Sequence, residues 1–191
     1  IVVGVVAVTG LGLKIASGIV TLSGGNLLLT LLFAMVAALV LGTGLPTSAT
    51  YIITSVMAAP ALVQLGLAPL VAHMFVFYFG ILADLTPPTA ISTYATAAIA
   101  GADPWPTQWR AMLLALSGFL IPFSFAYDSS ILLINTTLLG VVFRTAAVTL
   151  GILMLGAGII GYLWRPTRVL ERLALLAGSV LLIFPGVWSD L

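Results

Sequence analysis

Residues 42–48 read Gly-Thr-Gly-Leu-Pro-Thr-Ser, and residues 84–89 read Asp-Leu-Thr-Pro-Pro-Thr. The first stretch lies inside a region, residues 15–83, that contains no Asp, Glu, Lys or Arg, and the second stretch ends that region. In hydrocarbon, non-helical backbone is tolerated only where it is buried in protein or lines a cavity. Paired apolar segments interrupted by Gly and Pro are a good sequence indication of a transporter's binding site. The two stretches therefore predict a solute and ion site inside a membrane protein.

Composition excludes several other classes. The chain is 62% apolar and 6% charged, and its mean hydropathy is +1.29. A soluble domain carries about 25% charged residues. The net charge of +1 provides no basic surface for nucleic acid. The absence of cysteine excludes disulfides, thiolate catalysis and Cys-based metal sites.

The chain begins in an apolar segment without a basic flank or an initiator Met, so we expect it to be the C-terminal part of a longer membrane protein.

Hydropathy divides the chain into helical segments of unequal length. A spanning helix needs roughly 20 apolar residues, whereas the arms of a re-entrant hairpin need fewer. We predict an all-α polytopic membrane protein with a re-entrant helical hairpin that turns at 42–48 and a discontinuous helix interrupted at 84–89. The predicted helical segments are residues 2–22, 27–41, 46–65, 70–83, 89–100, 110–126, 145–164 and 173–188, with a bend near Pro122 and a shorter segment at 131–142.

Orientation follows from the basic residues. Three of the six lie in the short loop that contains Arg165, Arg168 and Arg172, so the positive-inside rule places this loop in the cytoplasm. Trp105 and Trp109 are expected in an aromatic belt at the membrane interface.

The break at 84–89 can bind both a cation and an anionic group. The helix before it ends in free carbonyl groups, which favour a cation. Thr86 is expected to cap the next helix and Pro87 to occupy its first position, where the missing N–H is not needed. The N–H groups of that helix favour an anion, and Pro88 stiffens the step.

The hairpin tip provides a similar arrangement. Gly42 and Gly44 permit close backbone approach and positive φ, and Pro46 restarts the helix. The hydroxyl groups of Thr43, Thr47 and Ser48 can bind a cation or a carboxylate. The alternative for each break is a kink in a packing helix.

Individual polar side chains leave alternatives open. Asp84 is an intramembrane carboxylate that either bonds backbone N–H groups near Thr86, ligates a cation directly or carries a proton. His73 is expected at the membrane interface, and Asp128 in a turn. The glycine- and alanine-rich set within residues 151–161 indicates close helix packing.

Four motifs resemble the fused membrane subunit of TRAP (tripartite ATP-independent periplasmic) transporters. The resemblance covers residues 1–140 and is specific in order and spacing. The motifs are Thr9-Gly10-Leu11-Gly12-Leu13-Lys14, Leu41-Gly42-Thr43-Gly44-Leu45-Pro46-Thr47, Ala83-Asp84-Leu85-Thr86-Pro87-Pro88-Thr89-Ala90 and Ala100-Gly101-Ala102-Asp103-Pro104-Trp105.

The resemblance implies an elevator-type secondary transporter built from two inverted repeats. The chain would then supply the second half of the transport domain, followed by scaffold helices. The implied organisation is residues 1–25 as a spanning helix and turn, 26–66 as the re-entrant hairpin, 67–101 as the discontinuous helix, 102–144 as further membrane helices, and 145–191 as two anchoring helices with a basic loop.

The same resemblance implies the ligands and partners. The substrates are small organic acids, taken up with Na+ or H+ and without a covalent cofactor, across the bacterial or archaeal inner membrane. Partners are a periplasmic solute-binding protein of the TAXI type, the upstream half of the same permease and the lipid bilayer. The candidate substrate and cation residues are Gly42, Thr43, Gly44, Pro46, Thr47, Ser48, Asp84, Thr86, Pro87, Pro88 and Thr89, with Na+ expected near Thr43, Gly44, Thr86 and Thr89.

Two other function classes compete with coupled transport. An intramembrane enzyme is disfavoured because the chain has one histidine, no cysteine and no recognisable catalytic motif. A structural subunit or a passive pore would use the two breaks as kinks only.

Overall fold

The computed structural model describes residues 2–87 and 89–184 and is built from helices, with no β-strand in these ranges. The predicted all-α membrane fold is confirmed. The helices are α1 (Val2–Thr9), α2 (Leu11–Ser23), α3 (Leu27–Gly42), α4 (Thr47–Met57), α5 (Ala59–Gln64), α6 (Pro69–Leu82), α7 (Ile91–Ala100), α8 (Pro104–Leu114), α9 (Leu116–Tyr127), α10 (Leu138–Ile160) and α11 (Val169–Ile183), with short 3-10 turns at Ala83–Leu85 and Ser129–Leu132.

The chain divides into two compact units, Ile1–Met112 and Leu113–Leu191. Two of the described helical segments are long and apolar enough to cross a membrane, namely Pro104–Tyr127 and Leu138–Ile160. The remaining apolar helices are shorter, as expected for hairpin arms and half-helices.

In the first unit, α3 and α6 pack together through small residues. Ala34, Ala38 and Gly42 of α3 recur every four residues and are buried. This spacing places them on one face of the helix. The corresponding face of α6 buries Phe75, Phe79 and other residues. In lipid, small residues let helix backbones approach closely, and the gain comes from packing rather than from water exclusion.

The turn between α2 and α3 lies between the predicted segments 2–22 and 27–41. Gly24 and Gly25 both adopt positive φ, and Asn26 caps α3 by accepting a hydrogen bond from the N–H of Leu29 at 3.1 Å. Behind the turn, the Thr30 hydroxyl donates to Ser23 Oγ at 2.7 Å in a buried contact. These bonds fix the entry of the hairpin.

Two predicted segments are interrupted in the structure. The segment 2–22 is two helices, because Gly10 adopts a left-handed conformation with φ of 65° between α1 and α2. The second hairpin arm, predicted as one helix over 46–65, is divided at Ala58 into α4 and α5. In one continuous helix Pro60 would lie in the interior, where it has no N–H to donate. The interruption precedes it, and Pro60 therefore lies in the first turn of α5, where no N–H is needed.

The helix predicted to begin at Arg110 begins instead at Pro104. The carboxylate of Asp103 accepts a hydrogen bond from the N–H of Trp105 at 3.0 Å and so caps α8. The rings of Trp105 and Trp109 contact each other edge to face at 6.0 Å between centroids. The helix is interrupted at Ala115 and not at Pro122, which lies inside α9.

In the second unit, α10 and α11 form an antiparallel pair. A Cβ on Gly151 would come within 2.8 Å of Ile183, and a Cβ on Gly158 within 2.9 Å of Leu176, so both glycines allow close contact between the helices. Gly156, which belongs to the same predicted packing set, has nothing within 4 Å of its added Cβ.

The start of α10 corrects a prediction. Thr137 caps it by accepting a hydrogen bond from the N–H of Gly140 at 3.2 Å, so the helix begins at Leu138 and not at Thr145. Arg144 is therefore inside the helix. The segment 131–142 contains a 3-10 turn before α10. The last helix begins at Val169, and the end predicted for it at 188 lies outside the described residues.

Arginines clamp both ends of the α10–α11 pair. Arg144 of α10 donates to the carbonyls of Leu182 and Ile183, at the end of α11, at 3.1 and 2.6 Å. Arg172 of α11 donates to the carbonyls of Gly158 and Ile159, near the end of α10, at 3.0 Å each. Each arginine thus satisfies backbone acceptors at the end of the opposite helix.

Arg144 also forms a buried ion pair that sequence analysis did not find. Its side chain is 7% exposed, and its Nε lies 3.2 Å from Asp128 Oδ2 in a contact without hydrogen-bond geometry. Its Nη2 donates to Ser124 Oγ at 2.6 Å. Asp128, predicted only as a turn residue, does cap its turn by accepting from the N–H of Ser130 at 3.0 Å. Its second role is to neutralise Arg144.

Candidate functional site

The hairpin tip is a tight turn between α3 and α4. Gly44 adopts a φ of 72°, and the N–H of Leu45 donates to the carbonyl of Gly42 at 3.3 Å. The Thr43 hydroxyl donates back to the carbonyl of Val40. Pro46 immediately precedes α4, which begins at Thr47. The predicted restart of the helix after Pro46 is therefore present.

The break after α6 is longer than predicted. α7 begins at Ile91, and not at Pro87. Thr86 does not cap it, because its hydroxyl donates backwards to the carbonyl of Leu82 at 2.8 Å. Pro87 is followed by Pro88, and a proline disfavours helical geometry in the residue before it. Pro87 therefore cannot occupy the first position of the helix. Pro88 itself lies outside the described residues.

The carbonyls at the break are less free than predicted. The carbonyl of Ala83 accepts from the N–H of Thr86 at 3.1 Å. The carbonyl of Asp84 accepts from the Ser92 hydroxyl at 2.9 Å. Ser92 was not among the predicted site residues, although a hydroxyl in the first turn of a half-helix is well placed to cross such a break.

Ala90 precedes α7 in a left-handed conformation, with a φ of 33°. This conformation is unfavourable for a residue with a Cβ and costs on the order of 1–2 kcal/mol. Strained backbone of this kind is concentrated at functional sites and switch regions.

The two breaks lie against each other. A Cβ added to Gly42 would stand 2.7 Å from the Cβ of Ala83, 2.9 Å from Thr50 Cγ2 and 3.2 Å from the carbonyl oxygen of Gly80. A Cβ on Gly80 would also stand 2.9 Å from Thr50 Cγ2. The end of α3, the first turns of α4 and the end of α6 therefore meet through small side chains, and the structure brings together two interruptions that are far apart in sequence.

A groove of about 370 Å³ runs between the two breaks. One wall is apolar and is formed by Val36, Leu39 and Val40 of α3, and the other contains Thr43, Thr86 and Pro87. Of the eleven predicted site residues, Thr43, Thr86 and Pro87 thus line one groove. The remaining described ones lie near the tip or the break but do not form its walls: Gly42, Gly44, Pro46, Thr47, Ser48, Asp84 and Thr89.

The two threonine hydroxyls that line the groove already use their protons. Thr43 and Thr86 each use the single hydroxyl proton on a backbone carbonyl, of Val40 and Leu82 respectively. A hydroxyl has one donor and two acceptor lone pairs, so what these two groups can offer a ligand is acceptor oxygen. Oxygen ligands suit hard cations.

The start of α4 has the opposite character. The N–H groups of Thr47, Ser48 and Ala49 make no hydrogen bond with described residues, as is usual for the first turn of a helix. The hydroxyls of Thr47 and Ser48 are exposed and are also without partners in the described chain. Free N–H groups and hydroxyls at a helix start favour an anionic group.

Two polar side chains at the break lack partners. The carboxylate of Asp84 accepts no hydrogen bond and forms no ion pair with the described residues, so the expected capping of N–H groups near Thr86 is not found. Thr89 Oγ1 is buried without a partner among those residues. Buried polar atoms without partners are rare and costly.

His73 is separate from this groove. Its Nδ1 lies 3.2 Å from the Tyr51 hydroxyl, and this contact joins α6 to α4. The ring of Tyr51 also packs edge to face on Phe77 at 5.4 Å. His73 therefore ties the second hairpin arm to the broken helix.

Comparison with known protein families assigns the chain. Residues 1–140 match the family described as tripartite ATP-independent periplasmic transporter, DctM component. The chain belongs to this DctM family. The match ends at the third residue of α10 and includes the whole of the hairpin, the break and the groove. No curated protein and no solved structure shows significant similarity to the chain.

Membership of the DctM family confirms the resemblance to TRAP transporters and gives the groove a biological context. The DctM component is the membrane part of a transporter that works with a periplasmic binding protein and a small membrane subunit. The groove between the two breaks lies inside the matched region, whereas the α10–α11 pair lies almost entirely beyond it.

Proposed function

We propose that this DctM chain imports small organic acids by cation symport, as part of a secondary active transporter in the bacterial or archaeal inner membrane. The hairpin of α3, α4 and α5, together with the broken helix of α6 and α7, would form the second half of the transport domain. The upstream half of the same permease would complete the site.

The observation that carries the proposal is the meeting of the two breaks in one groove. Thr43 and Thr86 come from separate elements, and both offer acceptor oxygens there. A kink in a packing helix has no need for two such hydroxyls to line the same groove. The arrangement supports binding of Na+, with H+ as the alternative coupling ion.

The start of α4 supports binding of a carboxylate. The free N–H groups of Thr47, Ser48 and Ala49 follow Thr43 by four to six residues in the chain. The uncharged region 15–83 contains no arginine or lysine, so this half of the site would hold the anion by dipoles and hydroxyls. The apolar wall of Val36, Leu39 and Val40 favours an acid with an alkyl portion over one with a second charge.

The elevator mechanism is supported by the packing of the hairpin on the broken helix. A Cβ added to Gly42 or Gly80 would lie within 3 Å of a neighbouring side chain, so the end of α3 and the start of α4 pack closely on the end of α6 beside the groove. Interfaces packed in this way resist internal sliding, so the hairpin and the broken helix would move as one body. The cation and the anion would then cross the membrane together with the groove.

The delivery of substrate would depend on a periplasmic solute-binding protein. We propose the TAXI type as that partner, on the resemblance of the chain to fused membrane subunits. Multi-pass insertion is supported by the two long apolar helical segments Pro104–Tyr127 and Leu138–Ile160.

Uptake into proteoliposomes tests the proposal. The full-length parent protein would be reconstituted with its binding protein and given a panel of radiolabelled organic acids, with and without an inward Na+ gradient. We expect uptake that needs both the gradient and the binding protein. Uptake driven by a pH gradient alone would make H+ the coupling ion. The absence of uptake from a folded protein would favour the structural or passive-pore alternative, with both breaks as kinks.

A further inference from the structure

A second groove lies between the end of α10 and the start of α11, outside the transport groove. Its volume is about 470 Å³. Its apolar lining comes from Met154, Leu163, Ala174 and Leu175, and its polar end contains Arg165, Thr167 and Glu171. A groove with an apolar body and a cationic end matches a molecule with an alkyl chain and an anionic head.

The loop that forms the polar end is held by its own backbone bonds. Gly161 ends α10 in a left-handed conformation, with φ of 78°. The N–H of Thr167 donates to the Gly161 carbonyl at 2.9 Å, and Tyr162 and Pro166 form an isolated bridge. The loop thus presents its side chains from a defined backbone, which favours a preformed site.

Positive charge remains at this end after internal pairing. Arg165 donates one hydrogen bond to Glu171 Oε1 at 2.8 Å, yet its side chain is 75% exposed. A guanidinium has five N–H donors, so most of them are free. Arg168 makes no side-chain hydrogen bond or ion pair with the described residues and is exposed.

Glu171 cannot neutralise both arginines. Its second oxygen, Oε2, accepts from the backbone N–H of Arg168 at 2.9 Å. This hydrogen bond, aided by the nearby Arg165 charge, lowers the pKa of the Glu171 carboxyl. The one carboxylate is thus occupied at both oxygens, and two exposed guanidinium groups leave a net positive charge.

Thr167 and Trp164 add the features of a lipid site. Thr167 Oγ1 is buried beside the groove and has no partner among the described residues, so its hydroxyl can donate to a ligand. Trp164 is 91% exposed. Exposed tryptophans of membrane proteins are enriched at the headgroup level, and basic pockets between membrane helices bind anionic headgroups.

We propose that this groove binds one anionic phospholipid. The phosphate would contact Arg165 and Thr167, which line the groove, and the exposed Arg168, which follows Thr167 in the loop, while the first part of an acyl chain would lie on the apolar lining. Free phosphate would use only the polar end, so it would forgo the contact with Met154 and Leu175. The proposed site is independent of the transport groove and lies beyond the region matched to the DctM family.

Thermal unfolding of the full-length protein in detergent, after delipidation, tests this site. Phosphatidylglycerol, phosphatidylcholine with the same acyl chains, and glycerol 3-phosphate would be added separately. We expect phosphatidylglycerol to raise Tm by several degrees more than phosphatidylcholine, and glycerol 3-phosphate to give no shift. Equal shifts for the two lipids would overturn the proposal, and an equal shift with glycerol 3-phosphate would make it a site for free anions.

Charge variants locate the binding. Arg165→Gln combined with Arg168→Gln should abolish the preference for phosphatidylglycerol. Arg168→Gln alone should reduce it several-fold and keeps the fold, because the Arg168 side chain has no partner in the described structure. Arg110→Gln, which removes an exposed arginine from α8, is the control and should leave the preference intact. An unchanged preference in the double variant would contradict the site.

Discussion

Gly42 and Ala83 are in direct contact, and a Cβ at position 42 would lie 2.7 Å from the Cβ of Ala83. Real Cβ atoms essentially never approach below 3.0 Å. The hairpin tip and the break after α6 therefore make a contact that requires glycine at position 42.

Gly42→Ala should separate the two breaks. Overpacking of this kind costs about 1–3 kcal/mol of unfolding free energy, and we expect a lower Tm together with reduced uptake. Gly18→Ala is the control, because Gly18 lies in α2 with nothing within 4 Å of its added Cβ. That change should leave stability the same or raise it by up to about 1 kcal/mol. Adding Ala83→Gly to Gly42→Ala should restore part of the loss. A Gly42→Ala protein as stable and active as the wild type would refute the contact.

Thr43→Val and Thr86→Val should each weaken the dependence of uptake on Na+. Both changes keep the size of the side chain and remove an acceptor oxygen from the groove. The measurement is the apparent affinity for Na+ in proteoliposomes, which should fall about tenfold or more for a lost ligand worth about 1.4 kcal/mol. Thr43→Ser and Thr86→Ser should retain it.

Thr96→Val is the matched control for these variants. Thr96 also donates its hydroxyl to the carbonyl three residues earlier, at 3.0 Å, but it lies in α7 away from the groove lining. It should lose its hydrogen bond without loss of Na+ affinity. An equal effect of all three valine changes would show that the lost helix bonds, and not a bound cation, cause the defect.

Asp84→Asn should impair coupled uptake while hardly changing stability. The carboxylate is half-buried and has no partner among the described residues, so its neutralisation breaks no bond of the fold, and we expect the unfolding free energy to change by less than about 0.5 kcal/mol. Measured Tm and uptake under Na+ and pH gradients separate the two effects. Asp103→Ala should do the reverse, because Asp103 caps α8 and loss of a cap costs about 1 kcal/mol. A large drop in Tm for Asp84→Asn would instead indicate a structural role.

Arg144→Gln should be strongly destabilising. The guanidinium holds the end of α11, Ser124 and the carboxylate of Asp128, and breaking a buried pair costs about 3–5 kcal/mol. Asp128→Asn should cost less, because that side chain is 33% exposed. The double variant should be less destabilised than the sum of the two single ones. Unfolding in detergent by heat or denaturant provides the measurement, and additive losses would argue against the pair.

Ala90→Gly should stabilise the break. Glycine adopts the left-handed conformation without the penalty paid by alanine, so we expect a gain of about 1 kcal/mol in unfolding free energy. Ala95→Gly, inside α7, should lower the unfolding free energy by a similar amount. If the strain serves a conformational change, Ala90→Gly will also alter the uptake rate, whereas a rise in Tm with unchanged uptake would limit Ala90 to a structural role.

Much of this architecture could be predicted from the residues. The positions of the hairpin tip and of the break follow from Gly, Pro and Thr within an uncharged region, because these residues act locally. The start of α7 could not be predicted correctly, because Thr86 can cap in either direction and the choice depends on the carbonyl of Leu82. Local sequence did not indicate that Gly42 would meet Ala83, since that contact depends on how α3 packs against α6.

The position of Arg144 inside α10 could not be predicted for a different reason. A search for apolar spans treats an arginine as a boundary, and so the helix was predicted to start at Thr145. In the structure the charge is retained inside the helix because Asp128 and the last carbonyls of α11 compensate it. Asp128 and Arg144 are 16 residues apart with a largely apolar segment between them, so two opposite charges that flank an apolar segment would be the signal to look for.

The reciprocal arginine clamps of α10 and α11 fix how many residues each helix can contain. Insertion of one residue between Arg144 and Gly158 would turn the helix by about 100° and draw one guanidinium away from its carbonyls. The loop at 162–167 is joined across its base by the Thr167 to Gly161 bond, so it offers little slack to absorb the change. We therefore expect natural variants of this pair to change by substitution and to conserve length, with insertions and deletions confined to residues outside the two clamps.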